Sequence, residues 1–233
     1  WSCSMGNLSE FLMEELNVAT AFTIPIFGGI EVAESTVISW VIMAIIVILT
    51  LVLTRNMRVE KPGKLQVGVE YTVTALQNLV RGIIGHEGER YVPYLSTVLV
   101  FLGISNIFAI FGMKPPTKDL NVTAALALMS IILVQAASIR QNKVGGWLKG
   151  FTKPSKVITP LNVMELAIRP LSLCMRLFGN VMGAFVVMKL LEHLVPVILP
   201  AVFSLYFDFF DGLLQAYVFV FLTGLYIKEA VEE

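Results

Sequence analysis

Long uncharged runs alternate along this chain with short linkers rich in lysine and arginine. Residues 36–54, 91–113 and 120–139 contain no charged side chain. Each is close to or above the roughly 20 apolar residues that an α-helix needs to cross about 30 Å of hydrocarbon. Residues 64–85 differ in kind. Leu65, Val69, Val73, Leu76, Val80 and Ile83 recur at steps of three and four, while Lys64, Glu70, Gln77, Asn78 and Arg81 lie largely off that stripe. This pattern predicts an amphipathic helix lying at a membrane surface or packed on a partner. Two long segments follow, 158–192 and 196–228. From Pro160 to Glu192 the first holds about 33 residues, roughly 50 Å if helical. Neither segment fits upright in a bilayer core, so strong tilt as a helical hairpin is expected.

The pattern therefore predicts an all-α integral membrane protein, one membrane domain with about five membrane-embedded helices. Composition agrees: 56% of residues are hydrophobic, only 15% are charged, and the mean hydropathy is +0.78. Soluble domains carry about 25% charged residues. The net charge is zero and the basic residues lie in separate linkers, which argues against a nucleic-acid partner. Arg55, Arg58, Lys61 and Lys64 follow the first run, and Arg140, Lys143, Lys149, Lys153 and Lys156 follow the third. The positive-inside rule places these linkers in the cytoplasm, residues 1–35 outside and the C-terminus inside. Residues 1–30 carry Glu10, Glu14 and Glu15 and do not read as a signal peptide. The chain begins at Trp1 rather than Met, as a trimmed or partial chain would.

Candidate chemistry is confined to the last third. Arg176 lies deep in the fourth embedded segment with no carboxylate at helical spacing. A guanidinium stays charged at any biological pH, and at a bilayer centre it costs about 2.5 to above 10 kcal/mol. Arg169, Arg176, Asn180 and Gly183 share one face by α-helical spacing, as do Ser204, Asp208, Asp211 and Gln215 in the last segment. Such residues also serve as packing groups, and Gly179-x-x-x-Gly183 is a small-residue packing pattern. Packing is the better account of Ser204 and Gly183, and for Asn180 and Gln215 periodicity leaves both readings open. Asp208 and Asp211 point to an ion pathway, because intramembrane carboxylates are costly; a structural ion pair of either with Arg176 is the other reading. Glu165 and Arg169 are spaced as an i,i+4 pair.

Three stretches together resemble subunit a of F-type ATP synthases. They are Arg-Leu-Phe-Gly-Asn at 176–180 preceded by Arg-Pro-Leu-Ser-Leu at 169–173, Leu-Gln-Ala-Tyr-Val-Phe at 214–219, and Pro-Pro-Thr-Lys-Asp-Leu-Asn-Val-Thr at 115–123. Order and spacing match over all but about the first 30 residues. The resemblance implies an ion-translocating stator for protons or sodium ions. Its partners would be a ring of c subunits, a b-subunit peripheral stalk, the rest of the synthase and the bilayer of a bacterial plasma membrane. Arg176 would face the ring carboxylates and separate two half-channels, with Gln215 and Asn180 beside it. Asp119 and Asn121 would sit near the external mouth. No cofactor, metal or bond-making chemistry within this subunit is implied.

The chain departs from the family pattern at two places. Many members carry Glu or His nine residues after the arginine, where this chain has Phe185; some carry His seven before the glutamine, where it has Asp208. Asp208 with Asp211 is expected to take over the ion relay. Other classes remain open on the residues alone: a transporter or channel using Arg176 as an anionic-substrate clamp, or an intramembrane enzyme. The enzyme is disfavoured, since His86 and His193 flank the runs and have no ligand-spaced partners, and Cys3 and Cys174 suggest no disulfide framework.

Overall fold

A computed structural model of the chain describes residues 20–24, 30–55, 57–58, 63–86, 88–108, 115–150, 159–194, 203 and 205–232. Strands β1 (Thr20–Ile24) and β2 (Ile30–Ala33) form an antiparallel hairpin that the sequence pattern did not predict. Six helices follow: α1 (Glu34–Thr54), α2 (Lys64–Ile84), α3 (Val92–Ile107), α4 (Leu120–Gly150), α5 (Thr159–Leu194) and α6 (Gly212–Glu232). Two 3₁₀ turns, Glu89–Tyr91 and Pro116–Lys118, lead towards α3 and α4. A π-helical segment, Leu205–Asp211, runs directly into α6.

The architecture is that of an all-α membrane protein with a small hairpin before α1. Four helical stretches are long and apolar enough to cross a bilayer: Glu34–Thr54, Leu120–Lys143, Thr159–Met188 and Phe209–Val231. Helix α3, predicted as the second span over 91–113, has 16 described residues, about 24 Å; residues 109–114 lie outside the described set. Helix α4 runs past the predicted limit at 139, interrupted at Lys143, whose φ of 56° and ψ of 164° are not helical.

The core shows why these helices assemble. Val80 and Ile84 of α2, Leu95 and Leu102 of α3, Val134 of α4, Leu177 of α5 and Phe219, Val220 and Ile227 of α6 form one buried cluster. Helix α6 packs on α2, α3 and α4, and α4 also packs along α5. Helix α1 contributes little to the core; Ile48, Leu51 and Val52 are 60–66% exposed, as expected of a helix whose solvent is hydrocarbon rather than water. The stripe on α2 divides between two environments. Val80 and Ile84 enter the core, whereas Leu65 and Val73 stay exposed. Helix α2 ends at Gly85, whose φ of 77° supplies the left-handed turn towards α3.

Candidate functional site

Helix α5 sorts its residues by the 3.6-residue turn. Leu173, Cys174 and Leu177 are buried, while Met175, Arg176, Gly179, Asn180 and Gly183 are exposed. Cys174 Sγ lies 3.7 Å from Thr123 Oγ1 of α4, fixing the rotation of α5 on its neighbour. A methyl group added at Gly179 or Gly183 would meet nothing within 4 Å. Among the described residues, then, nothing packs against the glycine pattern beside Arg176.

Two polar links join α5 and α6 in antiparallel register. Asn180 Nδ2 donates to Gln215 Oε1 at 2.6 Å, and Gln215 is almost wholly buried. Towards the other end, Arg169 Nη2 donates to Glu229 Oε1 at 2.7 Å and to Glu165 Oε1 at 3.0 Å. The Arg169 guanidinium also lies 5.0 Å from the Tyr226 ring centre. The predicted i,i+4 pair is present, but Glu229 and Tyr226, far off in sequence, were not foreseen. Arg176 sits between the two links, one turn from Asn180 and two from Arg169. Among the described residues it has no hydrogen bond or ion pair. Its charge faces outward, available to water or to an anion that another molecule supplies.

The last-segment stripe is altered by the π winding. Bonds of i→i+5 type widen the turn, so α-helical spacing does not decide which face Asp208 shares with Asp211. Asp211 is half-buried and has no partner among the described residues, so no ion pair with Arg176 forms there. Ser204 and the side chain of Asp208 lie outside the described residues.

At the end of the bundle near Gly212, the loop carrying Asp119 is tightly built. Asp119 Oδ1 accepts from the Asn121 backbone N–H at 2.9 Å and Oδ2 accepts from the Ser35 hydroxyl. Asp119 thus caps α4 and ties α1 to it; the Asn121 side chain is exposed. Beside it, Lys118 Nζ lies 3.4 Å above the Phe185 ring centre. Asn106 of α3 accepts from Thr117 Oγ1 at 2.9 Å and donates through Nδ2 to the Gly212 carbonyl at 2.7 Å. Sequence reasoning missed Asn106. The available signal was an amide side chain inside an uncharged run.

Comparison with known proteins decides the family. The family model described as ATP synthase A chain matches residues 36–228. This chain belongs to the ATP synthase A chain family. ATP synthase subunit a of Moorella thermoacetica is 37% identical over 205 residues, covering 88% of this chain and 93% of that one. Subunit a 1 of Hahella chejuensis is 33% identical, covering 88% and 87%. A relative from Propionigenium modestum, named ATP synthase subunit a, sodium ion specific, is 31% identical and covers 87% of this chain and 75% of its own length. The chain is accordingly a multi-pass membrane component of the ATP synthase membrane sector, which serves ion transport and ATP synthesis. The face bearing Arg176 is the candidate site within that family frame.

Proposed function

We propose that this chain is the stationary ion-translocating subunit of a rotary F-type ATP synthase, with Arg176 as the charge that divides its ion path. The observation that carries the reading is the exposed Arg176, without a partner among the described residues, between two satisfied α5–α6 links. A fixed cation on an open face attracts an empty carboxylate and repels a passing cation. Carboxylates carried past it by a ring of c subunits would release their ions on approach and reload beyond it. One charge crossing 100 mV releases about 2.3 kcal/mol, so several per turn can drive ATP synthesis in the catalytic head. This chain performs no bond chemistry in that scheme.

Gln215 and Asn180 hold each other and keep the neighbourhood of Arg176 polar. Asp208 and Asp211 serve as relay carboxylates on the side of the path near Gly212, where Phe185 occupies the position of the family's acidic or histidine residue. Asn121 lies at the outer mouth, and Asp119 holds that mouth together. The basic linkers support an N-terminus outside and a C-terminus in the cytoplasm of a bacterial plasma membrane, with a b-subunit stalk restraining the chain against the ring.

Native separation of the solubilised complex, followed by reconstitution, tests the reading. The chain should co-migrate with a ring of small membrane subunits, and ATP should drive ion uptake into vesicles only with the complex complete. Uptake measured with and without sodium identifies the ion. A lone oligomer of this chain that carries an anionic solute would replace the stator with a transporter that uses Arg176 as a clamp.

A further inference from the structure

We propose that Asn106 is a positioning residue for the ion path, setting the register of α6 through the Gly212 carbonyl; this rests on the role given above to Gln215. The junction at Gly212 is where i→i+5 winding gives way to α-helix. A π segment does not by itself fix where its wider turn ends, since moving the extra residue along the helix exchanges one set of backbone bonds for a similar one. An outside anchor is needed to hold Gln215, three residues on, at one height and rotation against Asn180.

Asn106 supplies that anchor. Its Nδ2 donates to the Gly212 carbonyl at 2.7 Å, and its Oδ1 accepts from the Thr117 hydroxyl at 2.9 Å. The second bond orients the amide, so that its donor faces Gly212. Asn106 is 3% exposed and Thr117 fully buried, and a buried pair of this kind is costly to leave unmade. The fit is rigid as well as polar. A Cβ at residue 212 would lie 2.8 Å from Asn106 Cβ, an atom close to the backbone of α3 with little freedom to yield. Glycine alone admits the approach. Asn106, Thr117 and Gly212 thus join α3, the 3₁₀ turn before α4, and the start of α6 at a single point.

The test uses the assembled complex, reading amide hydrogen exchange over residues 205–216 together with ATP-driven ion pumping. Asn106→Leu removes the anchor, and Thr117→Val, nearly isosteric, releases only the orientation of the amide. Both should raise exchange in 205–216 about tenfold while leaving residues 173–177 of α5 unchanged. Pumping should fall about tenfold in step. Thr117→Ser, which keeps the hydroxyl, should restore both. Asn106→Leu combined with Gln215→Leu should pump no worse than Gln215→Leu alone, because both changes break one linkage. Unchanged exchange in 205–216, equal loosening of the whole chain, or losses that multiply would overturn the proposal. If Asn106→Leu does not assemble, Thr117→Val carries the same readouts. If Gln215→Leu pumps normally, the role given to Gln215 falls, and exchange in 205–216 still decides the positioning.

Discussion

Arg169 and Arg176 occupy one helix two turns apart, yet their surroundings have little in common. Arg169 is gripped by Glu165 and Glu229, lies against the Tyr226 ring, and leaves 18% of its side chain exposed. Arg176 is exposed and has no partner among the described residues. A charge within a membrane helix needs a partner. Arg169 finds its partners inside the chain and so fastens α5 to α6. On the proposed function, Arg176 meets its partner on another subunit. The contrast offers a criterion that sequence alone does not: whether the chain itself completes the pair.

Removing each charge is the most direct way to break that contrast. Arg176→Ala should lower ATP-driven pumping about 100-fold or more, the range seen when a preorganised charge is removed from a reacting centre, while the complex still assembles. Arg176→Lys should rescue only part of the loss, since an ammonium lacks the planar fork that meets a carboxylate at two points. Wild-type pumping by Arg176→Ala in sealed vesicles would reduce Arg176 to a surface charge.

The π segment before α6 carries two further acidic residues, Asp208 and Asp211. Asp208→Asn should reduce pumping about tenfold and leave ATP hydrolysis by the detergent-released catalytic head unchanged. Asp211→Asn should act in the same direction, its half-buried carboxylate having no described partner to satisfy. If Asp208→Asn pumps at the normal rate, the relay is carried by other groups.

How much of this was legible in the chain depends on the range of each interaction. The apolar runs are local, and absence of charge located α1, α3 and α4 without reference to anything distant. The positions of Asn180 and Gln215 could be read from their own helices, but not the hydrogen bond that joins them across 35 residues. Glu229 stands 60 residues from Arg169 and Gly212 stands 106 from Asn106; no periodicity connects such pairs. The π segment was hidden for another reason. Face assignments assume 3.6 residues per turn, and a sequence read with that period cannot report where the period changes. The glycine pattern was incomplete in a third way, since small residues spaced by four describe a flat helix face without saying whose helix covers it.

The satisfied arginine should behave as a fastener. Arg169→Ala strands two carboxylates that are about half exposed, 53% for Glu165 and 48% for Glu229, so solvent screens much of the loss and about 1 kcal/mol is expected. A double-mutant cycle with Glu229→Gln, read as thermal dissociation of the solubilised complex, should recover a coupling of that size. Pumping per assembled complex should change less than about threefold, since the interaction is worth under 1 kcal/mol at the path itself. A loss as deep as that of Arg176→Ala would erase the distinction between the two arginines.

The smallest effect should come from Phe185. Its ring lies under the Lys118 ammonium at 3.4 Å, in contact with the turn that precedes Asp119 and α4. Phe185→Leu keeps the apolar bulk and removes the π face. The expected cost is about 0.5–1 kcal/mol, visible as a small shift in thermal dissociation that disappears when Lys118→Met is already present. Pumping should fall less than about twofold, because an apolar ring cannot exchange an ion and its replacement by another apolar side chain changes only the packing beneath Lys118. A tenfold fall would place Phe185 in the path itself, acting through its ring and the lysine above it. The contrast between the two arginines would then extend to Lys118, whose ammonium lies over that ring.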